Sequence, residues 1–154
     1  METKCPEQPM FALSKVKLTK DGGIAVKYSV SEENNGIVSI TNYNIESTTD
    51  IHEDLRNLFD ALRPMMQEIF DQKSENIYVQ SVSIAGEDEN LGCTLGGIYL
   101  TKADQKCKIS SPRLKFASFA YGFEDEMKRI VGEIETEVYA YLFQGKQAEL
   151  SNFN

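Results

Sequence analysis

The sequence has few of the residues on which most catalytic and metal sites depend. It contains one histidine, His52, and three cysteines, Cys5, Cys93 and Cys107, without a Cys-x-x-Cys pair or a histidine beside a cysteine. Metal and redox motifs need closely spaced ligand pairs. A Ser–His–Asp or Cys–His site needs a nucleophile placed beside the histidine, and nothing local indicates one. The sequence therefore predicts reduced, mostly buried thiols, no metal, no cofactor and no enzymatic activity.

Phosphate-binding and calcium-binding loops are also missing. There is no Gly-x-Gly-x-x-Gly segment and no P-loop, so nucleotide binding has no motif behind it. The acidic run at 87–90 lacks the ligand spacing of an EF-hand and is typical of a charged hairpin tip. Gly92, Gly96 and Gly97 fall in a strand-like segment, where a bulge or a close approach of a ligand or partner backbone would explain them.

No apolar run approaches the roughly 18 residues that a membrane helix needs. The first residues include Glu2, Glu7 and two prolines, which differs from the basic and apolar regions of a signal peptide. We therefore expect a cytoplasmic protein. Its 154 residues suit a single domain, which we place at 10–145, after a flexible lead-in at 1–9 and before a C-terminal tail at 146–154.

The first half of the chain alternates apolar and polar residues and then changes to helical spacing. Strands are predicted from residue 10 to the Asp21-Gly22-Gly23 turn, with a bulge near Ser14, then at 24–30 and 37–41. The apolar residues of 51–70 recur every three or four positions, which predicts a helix. Asp50 is the expected N-cap, with Glu53 completing a capping-box-like pair. Pro64 predicts a kink or a break.

The second half has the same order of elements. Strands are predicted at 77–84, 91–101 and 106–110, and an amphipathic helix at 123–143 that ends before Gly145. The fold class is therefore α+β, with an antiparallel sheet of about six strands and both helices on one face. A (βββα)×2 pseudo-repeat remains an open alternative to a coincidence of topology.

Charge is divided between strands and helices. Residues 11–30 hold four lysines against one aspartate, and residues 101–116 hold five basic residues against one aspartate. Residues 50–71 and 124–139 each hold six acids against two basic residues. The whole chain has a net charge of −8, which argues against a uniformly basic nucleic-acid binder but leaves room for one basic face.

A basic sheet face with aromatic side chains suits single-stranded DNA, because phosphates need neutralising and bases need a stacking surface. We expect the contacts to come from Lys15, Lys17, Lys27, Lys106 and Lys108, with Tyr28 and Tyr99 stacking on bases. The alternative is that these lysines form the solvated face of a half-buried sheet or guard its edges.

The C-terminal tail carries Gln147, Leu150 and Phe153, and the three-residue spacing of Leu150 and Phe153 would bring these two apolar residues together on one side of a helical turn. It resembles the short glutamine–leucine–phenylalanine pegs with which replication proteins grip sliding clamps, although the second aromatic residue of the eukaryotic form is missing. It could bind a partner's groove or fold back onto the domain.

Two segments, ENLGCTLGG at 89–97 and EVYAYLFQGK at 137–146, together with the order of elements, resemble an uncharacterised family of small tailed-phage proteins. Proteins of that family tend to be encoded among early replication and recombination genes. The resemblance implies an accessory protein of phage DNA metabolism, and it supplies no active-site residues.

Two functions follow as expectations. The first is a non-enzymatic accessory protein that binds single-stranded DNA through the basic sheet face. The alternative is a protein–protein interaction module or host-directed inhibitor, which would use its acidic helices or its tail to bind a replication or host protein. Exposed sheet edges also make a homodimer reasonable.

Overall fold

The computed structural model describes residues 6–71 and 76–147, which form an antiparallel sheet covered on one face by two helices. This confirms the α+β class and the layer arrangement predicted from the sequence. The elements are β1 (Phe11–Leu18), β2 (Ile24–Asn34), β3 (Ile37–Ser47), α1 (Glu53–Ile69), β4 (Ile77–Ala85), β5 (Gly92–Leu100), β6 (Lys106–Ser110), β7 (Leu114–Lys115) and α2 (Glu124–Phe143).

The sheet has seven strands, six of them in the order β3-β2-β1-β4-β5-β6. The short strand β7, which the sequence did not predict, pairs with the start of β5, where Leu114 lies opposite Cys93. The order is symmetric about the β1–β4 neighbours, so each half is a three-strand meander followed by a helix. This symmetry fits the proposed pseudo-repeat, but a duplication remains a prediction.

A bulge interrupts β1 between Leu13 and Lys15, as the change of parity near Ser14 predicts. Before the bulge, Phe11 and Leu13 point to the helices, and after it Val16 does. The backbone N–H of Leu13 donates to the carboxylate Oε2 of Glu135 on α2, at 2.9 Å. The helix therefore accepts a hydrogen bond from the backbone at the irregular point of the strand.

The hydrophobic core lies between the sheet and the helices. From α1 it receives Leu55, Phe59, Leu62, Met65 and Met66, from α2 Met127, Ile130, Val131, Ile134 and Val138, and from the strands Val16, Ile24, Val26, Ile77, Val79, Val82 and Leu95. Both helices carry these residues at the three-and-four spacing seen in the sequence. Helix propensity alone does not hold such helices, and this burial supplies the remaining stabilisation.

The start of α1 differs from the prediction. The N-cap is His52, whose Nδ1 accepts a hydrogen bond from the backbone N–H of Asp54 at 3.0 Å, so the expected Asp50 cap is wrong by two residues. Ile51 is buried and pairs with Gln147 in an isolated β-bridge, which keeps it extended. The helix is continuous through Pro64, so a break there is also wrong.

The chain on either side of the sheet and helices is attached to α2. The Tyr139 hydroxyl donates to the backbone oxygen of Pro6, and the Gln8 amide donates to Thr136 at 3.2 Å. After α2, Gly145 has a φ of +68°, the left-handed conformation expected of a helix-terminating glycine. Lys146 follows and bonds back to the helices.

Candidate nucleic-acid interface

The sheet face that the helices leave uncovered is here called the open face. Strand register decides which side chains it presents, because neighbours directly opposite in a ladder point to the same side. On the middle strands and β6, the open-face residues include Lys15, Lys17, Ala25, Lys27, Ser29, Ser81, Ser83, Thr94, Gly96, Ile98, Lys106, Lys108 and Ser110. Apart from the lysines, most of them are small.

This face carries all five lysines that were expected to contact phosphates. Lys15 and Lys27 are directly opposite each other on β1 and β2, and Lys17 lies two residues further along β1. Lys106 and Lys108 lie on β6, opposite Leu100 and Ile98. Because the bulge resets the parity of β1, Lys15 and Lys17 share this face even though Phe11 and Leu13 occupy the covered one.

The lysines form two groups, one on β1 and β2 and one on β6. Between these two lysine groups the open face carries short side chains, several of them with hydroxyl groups. Lys15 lies opposite Ser83, which in turn lies opposite Thr94. The next row runs from Lys17 through Ser81 to Gly96 and Ser110. A Cβ added to Gly96 would lie 2.3 Å from the Ser81 Oγ, so the glycine keeps the face flat at this point. At about 4.8 Å per strand, β1 and β6 are roughly 14 Å apart.

Lys115 on β7 belongs to the same face, since it lies opposite Gly92. Its charge belongs to the basic segment at 101–116, but the sequence does not predict it as a contact, because the two-residue strand that orients it has no periodic pattern. The acids on this face, Glu33 and Glu46, lie on the β2–β3 side of the sheet, where they pair with Val38 and Ala25. The lysines therefore outnumber the acids over the middle of the sheet.

The helices carry negative charge on the other side of the molecule. Their exposed acids are Glu53, Asp54, Asp60 and Glu68 on α1 and Asp125, Glu126 and Glu133 on α2. Arg129 neutralises part of this surface by bonding to Glu126 and Glu133. The opposite charge of the two layers, first suggested by the sequence, is thus a property of two opposite surfaces.

The two tyrosines chosen as stacking residues do not lie on the open face. Tyr28 is only 5 % exposed and points into the core, where its ring stacks on Tyr43 at 4.9 Å. Burial, and secondarily the neighbouring Tyr43, raises the pKa of Tyr28. Tyr99 lies opposite Ile77 on the covered side and packs against the core. The expectation that these side chains stack on bases is therefore corrected, because alternation along the strand turns both inward.

Other aromatic side chains are accessible. Tyr78, opposite Ile98, is the aromatic residue that the described strands present on the open face; the Arg63 guanidinium lies 4.6 Å from its ring centroid. In the loop after β7, Phe119 is 83 % exposed and Tyr121 stacks on Phe123 at 5.3 Å. The exposure of Phe119 could not be predicted from the sequence, because loop residues follow no periodic pattern.

A separate polar cluster joins α1, α2 and the start of the tail. Lys146 Nζ lies 2.9 Å from Asp54 Oδ2 and 2.7 Å from Glu137 Oε1, and His52 lies beside Asp54. Hydrogen bonds to Glu137, and then to Asp54, raise the pKa of Lys146, while the bond from Lys146 holds the pKa of Asp54 below its usual range. The lysine ammonium supplies the positive charge in this cluster, which attaches the tail to both helices.

Of the residues expected to bind a partner through the tail, Gln147 is exposed and forms the β-bridge with Ile51. Leu150 and Phe153 lie outside the described residues. The beginning of the tail thus folds back onto the domain.

No protein-family model, curated protein or solved structure matches this chain. In the described part of the chain, neither helix combines the length and the apolar character needed to cross a bilayer.

Proposed function

We propose that this protein is a non-enzymatic accessory factor that holds single-stranded nucleic acid on its open face through phosphate contacts. The observation that carries the proposal is the cross-strand pairing of Lys15 with Lys27. Like charges directly opposite each other in a sheet are destabilising. A bound phosphate would turn this repulsion into attraction to a shared anion.

The surroundings of the pair favour an extended polyanion over a single small anion. Lys17 continues the positive charge along β1, while Lys106 and Lys108 provide it again on β6. Between them, Ser83 and Thr94 carry hydroxyl groups that can donate to phosphate oxygens. A flexible single strand can follow this low surface from one lysine group to the other.

The inward orientation of Tyr28 and Tyr99 defines the mode of binding. Tyr78 is then the aromatic residue that the described strands offer for stacking on this face, so base stacking, worth about 1–3 kcal/mol per base where it occurs, contributes less than the phosphate contacts. Phosphate contacts are independent of sequence and strongly dependent on salt. The proposed binding is therefore tolerant of base sequence and is lost steeply as salt rises.

A role in phage DNA metabolism rests on the resemblance of residues 89–97 and 137–146 to the tailed-phage family. The polarised charge is compatible with such a role, because the acidic helices would repel nucleic acid from the other side of the molecule and so orient it on the sheet.

The proposal is tested by fluorescence anisotropy with a labelled oligothymidine, titrated at several salt concentrations. Replacing both Lys15 and Lys27 with glutamine should weaken binding and make the slope of log K against log salt shallower by about 0.7, since the two lysines share one phosphate and each single-strand phosphate contact contributes about 0.7. The control is Lys128→Gln, at an exposed position on α2. Absence of binding at low salt, or an equal loss in the control, would refute the proposal.

A further inference from the structure

The two outer strands of the six-strand order differ in how well their edges are protected against pairing with a further strand. The outer strand β6 carries Lys106 and Lys108 and is followed by Pro112, and lysine and proline are devices that discourage a further strand from pairing. The outer strand β3 runs for 11 residues, Ile37–Ser47, with Glu46 as its one charged residue and no proline. Its pairing with β2 is continuous, without a bulge. This edge is therefore open to another strand.

The tip of β3 also exposes apolar surface. Ile37, Val38 and Ile40 are 68 %, 62 % and 63 % exposed. They lie on both sides of the strand, since Ile37 is on the covered side and the other two are on the open side. A cluster of branched apolar residues around an unpaired strand edge is typical of a surface that becomes buried in an assembly.

We infer that this edge binds a second copy of the chain, with β3 pairing antiparallel to β3 of the partner subunit about a two-fold axis at Ile40. In this register Ile40 lies opposite its own copy, Ile37 opposite Tyr43 and Val38 opposite Asn42. Such a contact is isologous and closed, as two-fold dimer interfaces are. It extends the sheet of each subunit by main-chain hydrogen bonds and covers the three exposed apolar residues.

Charge favours the β3 edge over the other surfaces through which two copies of the chain could meet. Pairing through β6 would place Lys106 and Lys108 near their copies, and stacking of the open faces would bring the lysine groups together. In the proposed register Glu46 falls beyond Ile37, the first residue of the partner subunit's β3, so the one charged residue of the strand meets no like charge. The β3 edge is thus the sheet surface on which two copies can meet without lysine repulsion.

The register also fixes how the two open faces are related. Residues that lie opposite each other in an antiparallel ladder point to the same side, and the register pairs open-side positions with open-side positions. The dimer therefore has one continuous sheet with both lysine groups on the same surface. This inference is independent of the proposed nucleic-acid binding, because assembly through β3 requires no ligand.

The test is site-specific cross-linking combined with light scattering, without nucleic acid and at high salt. In a background with Cys5 and Cys107 replaced by serine, Ile40→Cys should form a disulfide-linked dimer under mild oxidation, because directly opposite Cα atoms are about 4.5–5.5 Å apart. Val38→Cys is the matched control, with nearly the same exposure. Its two copies would be about 13 Å apart and should not cross-link.

Light scattering of the unmodified chain should show a dimer, and Ile40→Lys should raise its dissociation constant at least tenfold, since two lysines would face each other at the axis. Ser110→Lys on the opposite edge should leave assembly unchanged. A monomer at all concentrations, or a dimer that is insensitive to Ile40→Lys, overturns the inference. Cross-linking of Val38→Cys in place of Ile40→Cys overturns the register and with it the proposed interface.

Discussion

The carboxylate of Glu135 accepts a hydrogen bond from the backbone N–H of Leu13 at 2.9 Å, across the packing of α2 on β1. Leu13 is the residue at which the bulge of β1 begins. The bond therefore satisfies a backbone donor at an irregular point of the strand. The same bulge places Lys15 on the open face, so a helix residue on one side of the sheet supports the arrangement of lysines on the other.

We expect Glu135→Ala to destabilise the protein by about 1–3 kcal/mol, because it leaves a partly buried backbone donor without its partner. The control is Glu133→Ala on the same helix. Glu133 is exposed and bonds to Arg129, and an exposed ion pair contributes about 0–1 kcal/mol. Urea unfolding of both variants measures the difference. Equal losses of stability would show that the Leu13 bond has no special role.

The Lys15–Lys27 pair makes stability and binding respond in opposite directions. Lys27→Glu replaces a cross-strand repulsion with an attraction, so we expect the free energy of unfolding to rise by about 0.5–1 kcal/mol. The affinity for an oligothymidine should fall at the same time. Lys102→Glu makes the same charge change in the turn between β5 and β6 and should raise stability less. If Lys27→Glu lowers stability, the repulsion between the two lysines is not significant.

Stability at acidic pH should depend on Glu124. Burial opposes ionisation of its carboxylate, but the hydrogen bond that the Tyr121 backbone N–H donates to Oε2, at 3.0 Å, and the nearby backbone N–H groups of Glu124, Gly122 and Phe123 outweigh burial and hold its pKa below the ordinary value of 4.5. A carboxyl group whose pKa is lower in the folded state stabilises the protein above its unfolded pKa, and this contribution is lost as pH falls through the folded pKa.

Glu124→Gln should therefore lower the melting temperature at pH 7 and flatten its decline below about pH 4.5. Asp125→Asn, at the next and exposed position, is the control and should leave the decline largely unchanged. Thermal unfolding from pH 7 to pH 3 measures both profiles. Parallel profiles for Glu124→Gln and the unmodified chain would contradict the assignment.

Thiol reactivity should distinguish two cysteines of the sheet. Cys107 is exposed, whereas Cys93 is buried, and burial raises the pKa of the Cys93 thiol to about 12. Because the thiolate is the reactive form, we expect iodoacetamide at pH 8 to modify Cys107 in the native protein and Cys93 only after denaturation. Peptide mapping by mass spectrometry locates the label. Fast native labelling of Cys93 would contradict the packing of the core.

Several features of this architecture could be predicted because residues at the same place in the sequence determine them. The change of parity between Leu13 and Val16 is visible in the sequence, and it predicted the bulge that the structure shows. Gly145 predicted the end of α2, since only a few residues adopt its left-handed conformation readily. These signals need no knowledge of the tertiary fold.

The parts that were missed depend on distant contacts. The helical spacing includes Ile51, yet α1 begins after His52 because Ile51 pairs with Gln147, almost a hundred positions away. Tyr28 alternates with Lys27 and therefore faces the opposite side of the sheet, so alternation along β2, and not aromatic character, decides its position in the core. The strand β7 is too short to have any period.

The two halves of the sheet are joined by few paired residues. The two meanders meet where β1 pairs with β4 through Lys15–Lys17 and Ser81–Ser83, whereas β2 and β3 are paired along their whole length. The helices span this junction, because α1 of the first half packs on β4 and α2 of the second half packs on β1. Helix packing therefore does much of the work of holding the two meanders together, and a substitution that loosens it should separate them while the β2–β3 ladder stays paired.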